Sequence, residues 1–80
     1  MEIKILGSGC VNCRRLEALV KEVAVEKELE ATFLKVTDYK DIMSYGIMHT
    51  PGLVINGKLL SAGRIPSKQE IATWLEAAKA

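Results

Sequence analysis

The chain has 80 residues, of which 49% are hydrophobic and 26% charged, so it can close one small core and is too short for two domains. We therefore expect a single domain over residues 1–80. Eleven basic and ten acidic side chains give a net charge of +1, which excludes the strong positive charge that attracts nucleic acid or anionic lipid.

The sequence shows no sign of export or membrane insertion. No apolar run approaches the ~20 residues that cross a bilayer, and residues 1–4 lack the basic and apolar regions of a signal peptide. We therefore expect a cytoplasmic protein that does not associate with membranes. Two cysteines are too few for a disulfide-dense secreted scaffold.

The first half of the chain predicts a strand, a long helix and a second strand. A short apolar run at residues 3–6 predicts a buried strand, and Gly7-Ser8-Gly9 then lets the backbone turn. From Cys13 onward, apolar side chains recur at three- and four-residue spacing and predict a helix of about four turns; they are Leu16, Leu19, Val20 and Val23. Residues 31–36 predict an extended segment.

The second half predicts a short helix, a hairpin and a final helix. Thr37-Asp38 offers a cap for a short helix at residues 41–45. Asn56-Gly57 between two apolar runs predicts an antiparallel hairpin. Ser67 and Glu70 have the spacing of a capping box ahead of a helix. The order is β-α-β-α-β-β-α, in which the long first crossover predicts a parallel β-α-β unit and an α/β fold.

Cys10 and Cys13 have the placement of a reactive pair. Cys10 falls in the turn after the first strand and Cys13 one helical turn later, which puts both sulfurs within reach of a disulfide. Free amides and the positive helix end favour a thiolate on Cys10, whereas Cys13 points inward and retains its proton longer. We therefore expect Cys10 to attack and Cys13 to resolve.

Three interpretations of the pair compete. A structural staple closing such a short loop contributes only about 2 kcal/mol, and cytosolic glutathione tends to reduce it. A soft-metal carrier would bind Cu(I) through both thiolates, whereas structural zinc needs four ligands and the chain adds only one histidine, His49. The redox dithiol is the favoured interpretation, and the copper carrier is its alternative.

Pro51 stands immediately before an apolar strand. Its local context favours an ordinary strand start in the trans form. The order of four features nevertheless resembles the thioredoxin superfamily, in particular its compact, glutaredoxin-sized members. These features are the Cys10-Val11-Asn12-Cys13 motif, the tract Tyr45-Gly46-Ile47-Met48-His49-Thr50-Pro51, the hairpin, and Gly63 before the last helix. The resemblance covers essentially the whole chain.

This resemblance implies a thioredoxin-like fold with a four-stranded mixed sheet in the order 2-1-3-4 and three flanking helices. It also implies a cis peptide bond before Pro51 and a substrate-binding role for Thr50, Pro51 and Gly63. The implied activity is thiol-disulfide exchange on protein disulfides through a Cys10–Cys13 disulfide, without a further cofactor or metal. The implied electron donor is a flavin-dependent thioredoxin reductase, and the implied state is a monomer.

The sequence departs from the family pattern at several positions. Gly9 replaces the usual tryptophan before the first cysteine, and Val11-Asn12 replaces Gly-Pro between the cysteines. Lys4 falls where thioredoxins bury an aspartate that helps to move the proton of the second cysteine. Without that aspartate, water or another group takes the proton, or resolution by the second cysteine is simply slower. The glutathione-binding element of glutaredoxins is not reproduced before the final helix, which makes a glutathione-specific site less expected.

Overall fold

One mixed four-stranded sheet organises the protein, and the computed structural model describes residues 1–79. The elements in chain order are β1 (Glu2–Leu6), α1 (Val11–Glu26), β2 (Thr32–Val36), α2 (Tyr39–Met43), β3 (Gly52–Ile55), β4 (Lys58–Ala62) and α3 (Lys68–Ala78). The strand order is β2-β1-β3-β4, in which β1 and β2 are parallel and the other pairs antiparallel. The predicted element order, the parallel β-α-β unit and the thioredoxin-like α/β sheet are confirmed.

The two faces of the sheet bury unequal cores, because successive side chains of a strand point to opposite faces. Ile3 and Ile5 of β1 belong to the larger cluster, which includes the inward faces of α1 and α3. Leu6 belongs to the smaller cluster on the other face, together with Ile42 of α2 and Ile47. We refer to these as the large and the small cluster.

The short helix α2 begins earlier than its predicted range of residues 41–45. The predicted cap is present, since Asp38 Oδ1 accepts the backbone N–H of Lys40 at 2.8 Å, and the helix starts at the next residue. It ends at Met43, and Gly46 follows with a φ of +78°. The cap was identified correctly, whereas the predicted range was placed two residues too late.

The capping box at the start of α3 is present as predicted. Ser67 Oγ accepts the backbone N–H of Glu70 at 3.1 Å, and Glu70 Oε1 accepts the backbone N–H of Ser67 at 3.1 Å. Arg64 adds a bidentate ion pair to the same carboxylate, with Nη2 to Oε2 at 2.8 Å. Arg64 and the Ser67 amide together lower the pKa of Glu70 from its ordinary 4.5 to about 2.

Glu70→Gln is expected to lower the free energy of unfolding at neutral pH but not in strong acid. The folded pKa of Glu70 lies below its unfolded value, so its stabilising effect is present above about pH 4.5 and disappears as the pH falls toward 2. Urea unfolding of both proteins across that range measures the difference. Glu30→Gln, at an exposed position, is the control, and a Glu70→Gln deficit that persists undiminished at pH 2 would contradict this assignment.

Candidate active site

Cys10 caps the N-terminus of α1. Its backbone is extended, and its Sγ accepts the backbone N–H of Cys13 at 3.1 Å. Its carbonyl accepts the N–H of Arg14 at 3.0 Å and so starts the helical hydrogen-bond pattern. A sulfur in this position faces the free amides and the positive end of the helix, where a thiolate is stabilised.

Cys10 and Cys13 form a disulfide, with their Cα atoms 5.0 Å apart. Cys10 is exposed, whereas Cys13 is only 4% exposed and belongs to the buried interior. The predicted division into an accessible outer sulfur and a buried inner one is therefore present in the fold. Only the outer sulfur is open to a disulfide of another molecule.

The buried sulfur of Cys13 lies directly against Gly7. A Cβ atom added at Gly7 would collide with Cys13 Sγ and would lie 3.3 Å from Cys13 Cβ. The Gly7 amide donates to the carbonyl of Val36 at 2.9 Å, so this backbone is fixed by the β1–β2 pairing. The sequence assigned Gly7 only to a flexible turn. In the structure its missing side chain makes room for a sulfur.

Thr50 and Pro51 form the loop that approaches Gly7 and the buried sulfur. The Thr50–Pro51 peptide bond is cis, as the resemblance implied. A Cβ added at Gly7 would lie 3.8 Å from Thr50 Cβ, so Thr50 stands next to the space that Cys13 Sγ occupies. Pro51 is buried, and its carbonyl accepts the N–H of Gly63 at 2.9 Å.

Gly63 lies in a tight position beside this loop. Its φ is +76°, and an added Cβ would lie 3.0 Å from His49 Cβ. The fold thus brings together, at one end of the sheet, the five residues that the sequence predicted as reactive or substrate-binding: Cys10, Cys13, Thr50, Pro51 and Gly63. His49 borders the same place and is exposed.

A small cavity of about 40 Å³ lies beside Cys13, which forms part of its wall. Glu17 of α1 and Lys35 of β2 line it together with Cys13, and the Lys35 Nζ lies 3.4 Å from Glu17 Oε1. The sequence pattern predicted no role for Glu17. No signal in the local sequence reveals its proximity to Cys13, apart from the four-residue spacing that puts both on one side of a helix.

Lys4 has a structural partner on the small-cluster side of the sheet. Its Nζ donates to the hydroxyl of Tyr45 at 3.1 Å and lies 3.6 Å from Glu2 Oε1. The Tyr45 contact, followed by Glu2, raises the pKa of Lys4. Lys4 is therefore a cation at neutral pH, so this position supplies no carboxylate near the cysteines.

Comparison with known proteins agrees with this geometry. The thioredoxin domain family matches residues 1–76. The chain belongs to the thioredoxin family. It is 39% identical over 71 residues to a thioredoxin of Methanothermobacter thermautotrophicus, covering 89% of this chain and 92% of that protein. It is 33% identical over 78 residues to a thioredoxin of Methanocaldococcus jannaschii, covering 92% of this chain and 90% of that protein.

Family membership and the Cys10–Cys13 disulfide identify a thiol-disulfide oxidoreductase and do not favour the metal-carrier alternative. Within residues 1–79, no three or more His, Cys, Asp or Glu side chains are grouped so that they can hold a metal ion. Over the same residues, each helix is too short or too polar to span a lipid bilayer.

Proposed function

We propose that this thioredoxin-family protein reduces disulfide bonds of other proteins, with Cys10 as the attacking residue and Cys13 as the resolving residue. The observation that carries the proposal is the contrast between the two sulfurs. Cys10 Sγ is at the exposed helix start and accepts the Cys13 N–H at 3.1 Å, while Cys13 is buried. A thiolate is favoured at the first position and disfavoured at the second.

The reaction then proceeds in two exchange steps. The Cys10 thiolate attacks one sulfur of the substrate disulfide, and the other substrate sulfur leaves as a thiolate. Cys13 loses its proton and attacks Cys10 Sγ in the mixed disulfide, which releases the second substrate thiolate and forms the Cys10–Cys13 bond. The substrate gains two electrons, and the protein loses the same two.

The proposed substrate-binding residues are Thr50, Pro51 and Gly63. Thr50 borders the buried sulfur, and the Pro51–Gly63 hydrogen bond fixes the loop beside it. Val11 directly follows Cys10 in the sequence, and Met48 lies two residues before Thr50. Both apolar side chains are exposed, Val11 at 55% and Met48 at 86%. Exposed apolar side chains next to a reactive thiol suit a protein client better than a small polar disulfide.

The proposal also covers the organisation of the protein and its source of electrons. We propose that residues 1–80 act as one domain, as a monomer and in the cytoplasm. In its reduced form the Cys10–Cys13 dithiol itself carries the two electrons, so no bound cofactor takes part. Each cycle oxidises this dithiol to the disulfide, and a flavin-dependent thioredoxin reductase is the proposed protein that reduces it again.

Insulin reduction tests the proposed substrate class. In the presence of dithiothreitol, the protein is expected to accelerate the precipitation of insulin chains, and Cys10→Ser is expected to return the rate to that of dithiothreitol alone. The same preparation, fully reduced, is titrated with Cu(I) under anaerobic conditions. Tight stoichiometric copper binding with no acceleration of insulin reduction would replace the proposal with the metal carrier.

A further inference from the structure

The buried position of Cys13 creates a chemical requirement that the two cysteines do not meet by themselves. As the resolving residue, Cys13 must lose its thiol proton when it attacks Cys10 Sγ, because the thiolate is the reacting form. Cys13 is only 4% exposed, and removal from water disfavours the charged form of a thiol. A nearby proton acceptor is therefore needed at the moment of attack.

Glu17 supplies a carboxylate at the same cavity as Cys13. The two residues are four positions apart on α1 and therefore lie on one side of the helix. Both line the cavity of about 40 Å³, which is large enough to admit a water molecule. The Glu17 side chain is 15% exposed, so it is only partly screened by bulk solvent. Among the described residues that line this cavity, Glu17 is the single carboxylate.

The charged groups that face Glu17 are basic. Lys35 on β2 lies 3.4 Å from Oε1, and Lys21 on α1 lies 3.9 Å from Oε2. Arg14 of α1 also lines the cavity, and Ile5, the lining residue from β1, is uncharged. These cations hold the carboxylate between α1 and β2, beside the cavity that Cys13 also lines.

We propose that Glu17 accepts the Cys13 proton, relayed by water in this cavity, as Cys13 attacks the mixed disulfide. The Cys13–Cys10 bond forms, the bond between Cys10 and the substrate sulfur breaks, and the released substrate thiolate carries the electron pair. Glu17 then passes the proton to solvent through the open side of the cavity. The proposal rests on the role of Cys13 as the resolving residue.

The sign of the Glu17→Gln effect distinguishes this role from a purely electrostatic one. If Glu17 acted only as a neighbouring negative charge, its removal would make the Cys13 thiolate easier to form and would accelerate resolution. A proton acceptor acts in the opposite direction, because its removal slows resolution wherever Cys13 is still protonated. The slowing is expected to fade at high pH, where Cys13 ionises without help.

Rapid mixing of the reduced protein with dithiobis(nitrobenzoate), whose thiolate product is yellow, separates the two steps. The first burst of colour reports attack by Cys10, and the second reports resolution by Cys13. Glu17→Gln is expected to leave the rate of the first phase unchanged and to slow the second phase about tenfold or more near pH 7. The difference in second-phase rate between the variant and the unaltered protein is expected to become smaller toward about pH 9. Glu17→Asp retains a carboxylate and is expected to recover part of the rate.

Glu22→Gln, which removes an exposed carboxylate of the same helix, is the matched control and is expected to leave both phases unchanged. An unchanged or faster second phase in Glu17→Gln would overturn the inference. So would a slowing that is equal at every pH or shared by Glu22→Gln, since either indicates general damage to the helix. Failure of the proposed cysteine roles is seen separately, as a missing first phase or as a second phase that survives Cys13→Ser.

Discussion

Cys13→Ser is expected to convert the protein into a covalent trap for its substrates. Cys10 keeps its position at the start of α1 and still attacks, but the serine hydroxyl does not displace it from the mixed disulfide. With an excess of an aromatic disulfide the variant is expected to release one equivalent of coloured thiolate, whereas the unaltered protein releases two. Mass spectrometry of the product is expected to show the adduct on Cys10.

Cys10→Ser is the matched comparison, because the remaining cysteine is the buried one. This variant is expected to form no stable adduct with protein disulfides and to react with the aromatic disulfide far more slowly than Cys13→Ser. The contrast follows from the accessibility of the two sulfurs and from the helix-end amides at Cys10. Adducts of equal yield and rate on both variants would show that the roles of the two cysteines are interchangeable.

Gly7→Ala is expected to impair the dithiol although the substitution adds only a methyl group. The new Cβ would occupy the space of Cys13 Sγ, so that sulfur or the β1 backbone must move. Overpacking of this kind typically costs about 1–3 kcal/mol of stability. We expect the resolving step to slow by about tenfold, equivalent to 1.4 kcal/mol, because Cys13 no longer lies where it reaches Cys10 Sγ.

Gly57→Ala separates the loss of sulfur geometry from a general loss of stability. Gly57 is in the hairpin turn with a φ of +81°, and an added Cβ there meets no atom within 4 Å. This variant is expected to be destabilised by backbone strain and to keep both phases of the reaction with the aromatic disulfide. If Gly7→Ala and Gly57→Ala lose stability equally and both retain a normal resolving step, Gly7 has no special role at the sulfur.

The features that the sequence predicted well are those with a local physical cause. Asn56 and Gly57 both have positive φ, which is the backbone that the hairpin turn requires and that this dipeptide adopts readily. Ser67 and Glu70 cap α3 through contacts only three residues apart. Cys10 caps α1 for a similar reason, since its sulfur needs only the amide of Cys13. Such contacts join residues that are close in the chain, so a local pattern is enough to predict them.

The features that the sequence missed depend on segments that are distant in the chain. Glu17 meets Lys35 because the parallel register places Lys35 opposite Ile5, on the face that α1 covers. The close approach of Gly7 to Cys13 Sγ is set by how α1 packs on the end of β1. Lys4 is paired with Tyr45 from a loop on the other side of the sheet. No periodicity within one segment contains this information.

The unequal clusters on the two faces of the sheet give the two sides of the site different resistance to local unfolding. Cys13 belongs to α1, whose inward face is anchored in the large cluster. The segment leading to Thr50 follows the one-turn helix α2 and is anchored mainly through Ile42 and Ile47 in the small cluster. A segment with fewer buried apolar contacts has a lower free energy of local unfolding, and its amide hydrogens exchange faster. We therefore expect the segment that precedes Thr50, the proposed client-binding residue, to open locally more often than α1, which carries both sulfurs.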